Sequence, residues 1–297
     1  MILFFIFLVA ILTPPLVNAV VIDNESKFID IFNSDEKEIV IHIESELLLN
    51  NELSINNTLE KLIIIGNSND SSKIIINKEK SHQKIHFSQN IKQVELLNIT
   101  VEGNLFFDNN KKILIENVLL SGGIDSNFEK NQNDYFKFKN FNYKTNEPFL
   151  EYCINLSGNV EIENSKFWGN HHCEKRIMKH KGNDIYSFFI KNSYFSGEYQ
   201  SSCLEIENVA QVQITNSFFE KGYCRGDLIY GGSIYALSSK GFIKNCEFRD
   251  NFCNSDGGSF YFDSNPSFLI EDINIYNTTA LTTVMMIFFI STYKYMI

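Results

Sequence analysis

The stretches "FFEKGYCRGD" (218–227) and "EFRDNFCNSD" (247–256) repeat one pattern 29 residues apart, with the charges exchanged. If they occupy equivalent places on neighbouring coils of a repeat structure, opposite charges face each other and aromatic rings stack, and both arrangements favour the pairing. Each surface ion pair would add only a few tenths of a kcal/mol. The register predicts four facing pairs: Glu220 with Arg249, Lys221 with Asp250, Tyr223 with Phe252, and Cys224 with Cys253.

The same spacing extends along the chain as a repeat built around asparagine. Residues before each asparagine alternate apolar and polar, as β-strands do. The asparagine suits a turn, and a small residue and then an aromatic residue follow it. Copies recur every 19 to 29 residues, which indicates a solenoid. The strong copies centre on Asn164, Asn192, Asn216 and Asn245, with Asp272 in the same place, and weaker copies centre on Asn98, Asn117 and Asn140.

These features predict an all-β, single-stranded parallel β-helix over residues 35–290, in which equivalent asparagines stack as a hydrogen-bonded ladder at about 4.8 Å. A leucine-rich horseshoe would need shorter repeats with closely spaced leucines. A solenoid needs a cap on its first coil, and residues 20–34 are expected to supply it. Within them, Ser26–Asn33 has the spacing of a short helix whose apolar face contains Phe28, Ile29, Ile31 and Phe32.

Two short motifs resemble those of a known family. "GGSI" (231–234) and "GGSF" (257–260) are similar to the GGA[ILV] motif of the polymorphic outer-membrane proteins, and "FWGN" (167–170) and "FRDN" (248–251) match their FxxN motif. Those proteins are surface adhesins. The resemblance covers 160–262, whereas 35–290 more broadly resembles the pectin-lyase-like superfamily. It implies a right-handed β-helix in a superfamily of adhesins, lyases and hydrolases.

The amino-terminal residues and the cysteines indicate export. Residues 1–19 have the form of a signal peptide, with an apolar run at Ile2–Leu12 and a cleavage site after Ala19; an uncleaved anchor is the alternative. Six cysteines suit an oxidising compartment. We therefore expect an extracellular glycoprotein, either secreted or on the cell surface. Its candidate glycosylation sites are Asn24, Asn56, Asn69, Asn98, Asn155 and Asn277.

The register also predicts a disulfide. Cys224 and Cys253 would lie on stacked turns at about 4.8 Å, inside the Cα range of roughly 4.4–6.8 Å that disulfides require. Cys246 takes the place that serine holds in other copies and is expected to be buried and free. A local bond between Cys246 and Cys253 is the alternative.

The sequence contains little that indicates catalysis. The GHG, adjacent-aspartate and NTD motifs of polygalacturonase-like enzymes are missing from it, and "KRIMKH" (175–180) only partly matches their RIK motif. Asp227 and Asp256 each follow a cysteine by three residues, and such stacked carboxylates could flank a glycosidic bond or hold Ca²⁺. A solvated acidic turn is the favoured interpretation, because no further ligand set or acid/base partner is visible in the sequence. No metal site is predicted, because "HHCEKRIMKH" (171–180) does not have a recognised zinc spacing.

Two aromatic segments are also candidates for sugar contacts. In "YFKFKNFNY" (135–143), the alternation with lysine predicts that Phe136 and Phe138 point into the core. Trp168 is predicted to lie in a turn.

The last residues, 282–297, allow two interpretations. The unbroken apolar core Val284–Ile290 is shorter than the roughly twenty residues of a membrane span. Counting from Asp272 instead predicts a strand at Val284–Phe289, parallel to Ser259–Phe262. Residues 291–297 would then form the C-terminal end, and the exposed edge suggests either a longer solenoid or pairing with another chain.

The charge balance limits the kinds of binding partner that are expected. The chain has 36 acidic and 26 basic residues and contains no basic stripe, so nucleic acid is not an expected partner, and no integral membrane span is expected. We expect a non-catalytic protein that adheres to or binds an extracellular glycan or surface protein. A divergent polysaccharide lyase or glycoside hydrolase and a structural spacer are the alternatives.

Overall fold

The chain folds as a parallel β-solenoid, as its repeat predicts. The structure is a computed structural model that describes residues 19–33, 35–55, 59–76, 84–128, 133–144, 150–225, 230–265, 267–282 and 286–287. Residues 1–18 of the predicted signal peptide and residues 288–297 lie outside the described residues. In the described part, one helix accompanies the strands, and every strand pairing is parallel.

Each coil contributes strands to three walls, which we call sheets 1, 2 and 3. Sheets 1 and 2 meet at the asparagine turn, and two long strands, β27 (Lys240–Arg249) and β30 (Ser267–Tyr276), run through both. The other strands of sheet 1 are β1 (Ala19–Ile22), β2 (Glu38–Ile43), β5 (Lys61–Gly66), β8 (Gln93–Leu97), β11 (Lys112–Glu116), β14 (Tyr135–Lys139), β17 (Asn159–Glu163), β20 (Ser187–Lys191) and β23 (Gln211–Thr215). Those of sheet 2 are β3 (Glu46–Leu49), β6 (Lys73–Ile76), β9 (Thr100–Glu102), β12 (Leu119–Ser121), β15 (Asn142–Lys144), β18 (Lys166–Trp168), β21 (Tyr194–Ser196) and β24 (Phe218–Glu220).

Sheet 3 closes the coil and carries the residues of functional interest. Its strands are β4 (Leu53–Ile55), β7 (Lys84–Phe87), β10 (Asn104–Asp108), β13 (Ile124–Asn127), β16 (Leu150–Ser157), β19 (Cys173–Lys181), β22 (Ser202–Glu207), β26 (Ile234–Leu237), β29 (Phe260–Asp263) and β32 (Met286–Ile287). A small sheet contains β25 (Tyr223–Cys224), β28 (Phe252–Cys253) and β31 (Thr279–Ala280). Along sheet 3, residues alternate between the core and the outer face, so equivalent outward residues form straight columns.

The first coil is capped as the sequence predicts. Strand β1 (Ala19–Ile22) pairs with β2, and helix α1 (Glu25–Ile31) follows it. The side chain of Asn24 accepts a hydrogen bond from the backbone N–H of Lys27 at 3.0 Å, which caps the helix. Phe28 is fully buried, but Ile29, which the helical spacing places on the same face, is 40% exposed. The helix is too short to bury more than a narrow stripe.

Asparagine forms the turn between sheets 1 and 2 because it tolerates the left-handed backbone region. The seven asparagines of the repeat have φ between 49° and 54°, and Asp272 has 51°. Side-chain amides link neighbouring turns: Asn117 donates to Asn98 at 2.9 Å, Asn140 to Asn117 at 3.0 Å, and Asn192 to Asn164 at 3.3 Å. The backbone N–H of each turn also bonds the next coil, as from Asn192 to Thr215 at 3.1 Å.

Two internal ladders run beside the asparagine turns. The backbone N–H of Ser165 donates to the hydroxyl of Ser193, and that of Ser193 to Ser217. At the next coil, the Cys246 thiol takes the hydroxyl's place, 3.5 Å from the Ser217 nitrogen. Two residues further along each coil, aromatic rings stack at centroid distances of 4.5–5.0 Å in the order Phe167, Phe195, Phe219, Phe248. The recurring small and aromatic residues thus build the core. Phe136 and Phe138 also point inward, as the sequence predicts.

The two opening stretches pair in the predicted register. Glu220 lies beside Arg249, Tyr223 stacks on Phe252 at 5.3 Å, and Cys224 lies beside Cys253. The ion pairs differ from the expectation, because each cation binds a nearer carboxylate. Arg249 bonds Glu247 of its own strand at 2.5 Å, and Lys221 contacts its neighbour Glu220 at 3.3 Å.

The FxxN and GGS motifs meet inside one coil. The Asn251 side chain is fully buried, accepts from the Gly222 N–H at 2.9 Å, and donates to the Ser259 hydroxyl at 3.3 Å and to the Phe219 carbonyl at 3.4 Å. The first glycine of each GGS, Gly231 and Gly257, has φ of 71° and 76°, which favours glycine. The two motifs therefore have a structural role in this chain.

Two disulfides are present among the described residues. One joins Cys224 and Cys253, whose Cα atoms are 4.6 Å apart, and the other joins Cys153 and Cys173 at 5.2 Å. Cys203 and Cys246 are buried free thiols. Disulfides are consistent with an extracellular location.

Two local expectations are corrected. Trp168 lies in strand β18, half-buried, because the turn ends before the strand of sheet 2 begins. Near the carboxyl end, β32 pairs in parallel with β29 as predicted, but Met286 lies beside Tyr261 rather than Ser259, since this coil is two residues shorter than the previous spacing implies. In the described part of the chain, no helix has the length and apolarity needed to cross a membrane.

Candidate functional site

The outer face of sheet 3 carries a polar and aromatic cluster near its carboxyl-terminal half. One outward column contains, on successive strands, Asn155, Lys179, Glu205, Tyr235 and Tyr261. Neighbouring members are one strand spacing apart, about 4.8 Å. A β-bulge between Leu150 and Tyr152 shifts the pairing of β16 with β19 and places Tyr152 beside Arg176.

Arg176 lies beneath this column and is almost completely buried, with 2% of its side chain exposed. Its guanidinium donates to Glu205 at 3.1 Å, to the Gly231 carbonyl at 3.1 Å and to the Tyr230 carbonyl at 2.5 Å. Its Cζ atom also lies 5.4 Å from the ring centroid of Tyr235. Burial acts to lower the pKa of Arg176, and Glu205 opposes that effect. Arg176 therefore fixes the backbone from which the tyrosines project.

Glu205 is held as a carboxylate by three donors. Besides Arg176, Lys179 Nζ lies 2.8 Å from it, and the Tyr152 hydroxyl is 3.2 Å from both carboxylate oxygens. Burial acts to raise its pKa, but the attraction of Arg176 and Lys179 outweighs it, so the pKa is lowered. A general acid must hold a proton and a general base must be able to accept one. Glu205 is saturated with donors and suits a structural role better.

Three tyrosines form an aromatic platform above this support. The rings of Tyr230 and Tyr261 stack at 4.5 Å, Tyr235 lies 5.9 Å from Tyr261, and all three are half-buried. Burial, followed by the charges of Asp263 and Glu205, raises the pKa of Tyr235 to about 12. The Tyr235 hydroxyl therefore stays protonated at physiological pH and can both donate and accept hydrogen bonds. We call Tyr230, Tyr235 and Tyr261 the tyrosine platform.

Two carboxylates border the platform. Burial and then the charges of Asp263 and Asp256 raise the pKa of Tyr261, which places both acids near its ring. Asp256 is half-buried, and its Oδ1 atom is buried without a hydrogen-bond partner. An unpaired buried acceptor of this kind costs free energy unless a donor reaches it. Asp227, the other acidic candidate from the sequence, lies outside the described residues, so its stacking with Asp256 stays a prediction.

The histidine-containing segment does not assemble as a metal site in the described residues, where no group of three potential ligands is found. His171 and His172 are adjacent, Cys173 is bonded to Cys153, and His180 points into the core. A calcium site at Asp227 and Asp256 stays a prediction.

The sequons occupy different settings. Asn24 and Asn277 are exposed near opposite ends of the described solenoid, Asn155 is half-buried on the outer face of sheet 3, and Asn98 belongs to the asparagine ladder. Asn69 is half-buried, and Asn56 lies outside the described residues.

The sequence does not predict this cluster, because its members lie on different coils and become neighbours only through the pairing of the strands. Arg176 reaches carbonyls 54 and 55 residues away, which no local pattern indicates. The alternation in "GGSIYAL" and "GGSFYF" does contain a signal, since it places Tyr235 and Tyr261 outward on adjacent strands.

Comparison with known proteins adds no family. No family model matches the chain, and no curated protein matches it.

Proposed function

We propose that this protein is an extracellular, non-catalytic β-solenoid that binds glycans on the tyrosine platform. The observation that carries the proposal is the close grouping of Tyr230, Tyr235 and Tyr261 on a rigid support. Aromatic faces offer apolar contact to sugar rings while their hydroxyls remain available for hydrogen bonds. Buried support from Arg176 holds the platform before any ligand arrives, which reduces the entropy cost of binding.

The charges around the tyrosine platform determine which class of glycan it can bind. The positive charges of Arg176 and Lys179 are matched by Glu205, and Lys179 also lies 3.0 Å from Glu207. Asp256 and Asp263 then leave the border of the platform acidic. An acidic sugar would be repelled there, whereas a neutral sugar can donate hydroxyl hydrogens to the carboxylates. The expected ligand is therefore a neutral glycan.

A glycan array probed with the purified secreted protein tests this function. We expect binding to neutral oligosaccharides that changes little between about 0.05 and 0.5 M salt, because the contacts are not ion pairs. Binding confined to uronic or sulfated glycans, or to none, would contradict the proposal.

The enzyme alternative has one specific observation in its favour, the unpaired buried oxygen of Asp256. Assays for new reducing ends and unsaturated products on neutral and acidic polysaccharides separate it from binding. Cleavage that Asp256→Ala abolishes, while binding remains, would establish catalysis at this site. Asp263→Ala serves as the matched control, since both acids border the same ring.

A further inference from the structure

Asn155 is the one described sequon that shares a column with the tyrosine platform. It lies on β16 and begins the sequon Asn155-Leu156-Ser157. The strand order from Asn155 passes through Lys179 and Glu205 to Tyr235 and then Tyr261. Tyr235 is thus three strand spacings from Asn155, or about 14 Å, and Tyr261 is four, or about 19 Å.

The surroundings of Asn155 are compatible with a glycan. Its side chain is hydrogen-bonded to Asp125 on the neighbouring strand, and its leucine neighbour points into the core. Asn155 itself belongs to the outward column and is half-buried. An N-linked amide keeps one N–H, so the contact with Asp125 can survive attachment.

From these observations we infer that Asn155 carries an N-glycan whose sugars fold along sheet 3 and occupy the tyrosine platform as an internal competitor. This inference rests on the proposed function. To reach the platform, an N-linked core of two N-acetylhexosamines with attached mannoses must span three to four strand spacings, about 14–19 Å. These sugars are neutral, like the ligand that the acidic border of the platform selects.

Tethering makes even a weak internal contact effective. A short flexible tether gives an effective concentration of a few mM. If the internal sugars bind with a Kd of about 1 mM, they weaken the apparent affinity for an added glycan about fivefold. Trimming the glycan to one sugar removes the sugars that would reach the platform, about 14–19 Å away, and leaves the platform open.

The test uses the full chain from a eukaryotic secretory host and a panel of neutral glucose, mannose and xylose hexasaccharides. Glycopeptide mapping first determines whether Asn155 is occupied. Binding is then measured for the wild type, for Asn155→Gln, for wild type trimmed by an endoglycosidase, and for Asn277→Gln. The last variant removes the sequon of an exposed turn whose side chain contacts Asp250, away from the platform.

We expect an occupied Asn155, about fivefold tighter binding by Asn155→Gln and by the trimmed protein, and wild-type affinity for Asn277→Gln. An unoccupied Asn155, or equal affinity for the wild type and Asn155→Gln, would overturn the inference while leaving glycan binding intact. If neither Asn155→Gln nor the trimmed protein binds any probe, the proposed function fails and the inference fails with it.

Discussion

At the scale of single residues, buried polar side chains form hydrogen bonds between neighbouring coils, in addition to the apolar packing of the core. Asn251 makes two such hydrogen bonds, with Gly222 and Phe219, and a third with Ser259 of its own coil, and it has no solvent exposure. Removing it leaves the Gly222 N–H and the Phe219 carbonyl without their side-chain partner in the core, and each unsatisfied group costs about 1–3 kcal/mol.

Asn251→Ala is therefore expected to lower the free energy of unfolding by about 2–4 kcal/mol in a denaturant titration. Asn254→Ala is the matched control, because Asn254 is exposed three residues away. An equal effect of both substitutions would show that the Asn251 contacts are not stabilising.

His180 makes the free energy of unfolding depend on pH. It is fully buried, its Nε2 atom lies 2.8 Å from the Gly158 carbonyl, and burial lowers its pKa to about 4. The unfolded chain, with a histidine pKa of about 6.5, binds the proton first as the pH falls. The contribution of His180 to the free energy of unfolding is thus fully present above pH 6.5 and is lost as the pH falls towards 4. The loss between pH 8 and pH 5 is about 2 kcal/mol.

Denaturant titrations at pH 8 and pH 5 on the wild type and His180→Phe measure this contribution. The variant keeps a ring beside Phe188, on which His180 stacks at 4.6 Å. Its loss of stability between the two pH values should be about 2 kcal/mol smaller. Identical losses would mean that His180 takes up no proton on unfolding in this range.

At the scale of elements, the turn between sheets 1 and 2 depends on backbone conformation as much as on the amide ladder. Asn192 has φ of 51° and donates to Asn164. Alanine and glycine both remove the side-chain bond, but only alanine meets the steric cost of the left-handed region, about 1–2 kcal/mol.

Asn192→Ala should therefore be less stable than Asn192→Gly by about 1 kcal/mol, measured by thermal or denaturant unfolding. If the glycine variant is as unstable as the alanine variant, the amide ladder rather than the φ value determines the preference for asparagine.

The elements also show what sequence could predict. Strands, the asparagine turn and the register of the opening stretches follow from spacing, because each coil repeats the same local preferences. The ion pairs of Arg249 and Lys221 did not follow, since long side chains choose the nearest carboxylate. Arg176 could not be placed in advance, because a β-bulge and two coil crossings bring it to Tyr230 and Gly231.

At the scale of the whole molecule, the solenoid converts sequence repetition into a straight column of outward side chains. That column runs from Asn155 to the tyrosine platform, and the buried Arg176 sets the orientation of its last members. Tyr235 and Tyr261 come from two motif copies that the sequence shows plainly, and Tyr230 directly precedes the first copy. The contacts of Arg176 that support the platform do not follow from any motif.

The most direct test of the account is calorimetric titration of the neutral oligosaccharide preferred on the array against the Asn155→Gln protein and two further substitutions in that background. Tyr261→Ala removes a platform ring, and Tyr135→Ala removes a tyrosine that is 39% exposed on sheet 1. Loss of one stacked ring should weaken binding at least about tenfold, equivalent to about 1.4 kcal/mol. The account predicts that loss for Tyr261→Ala and an unchanged Kd for Tyr135→Ala. Equal Kd values for all three proteins would contradict it.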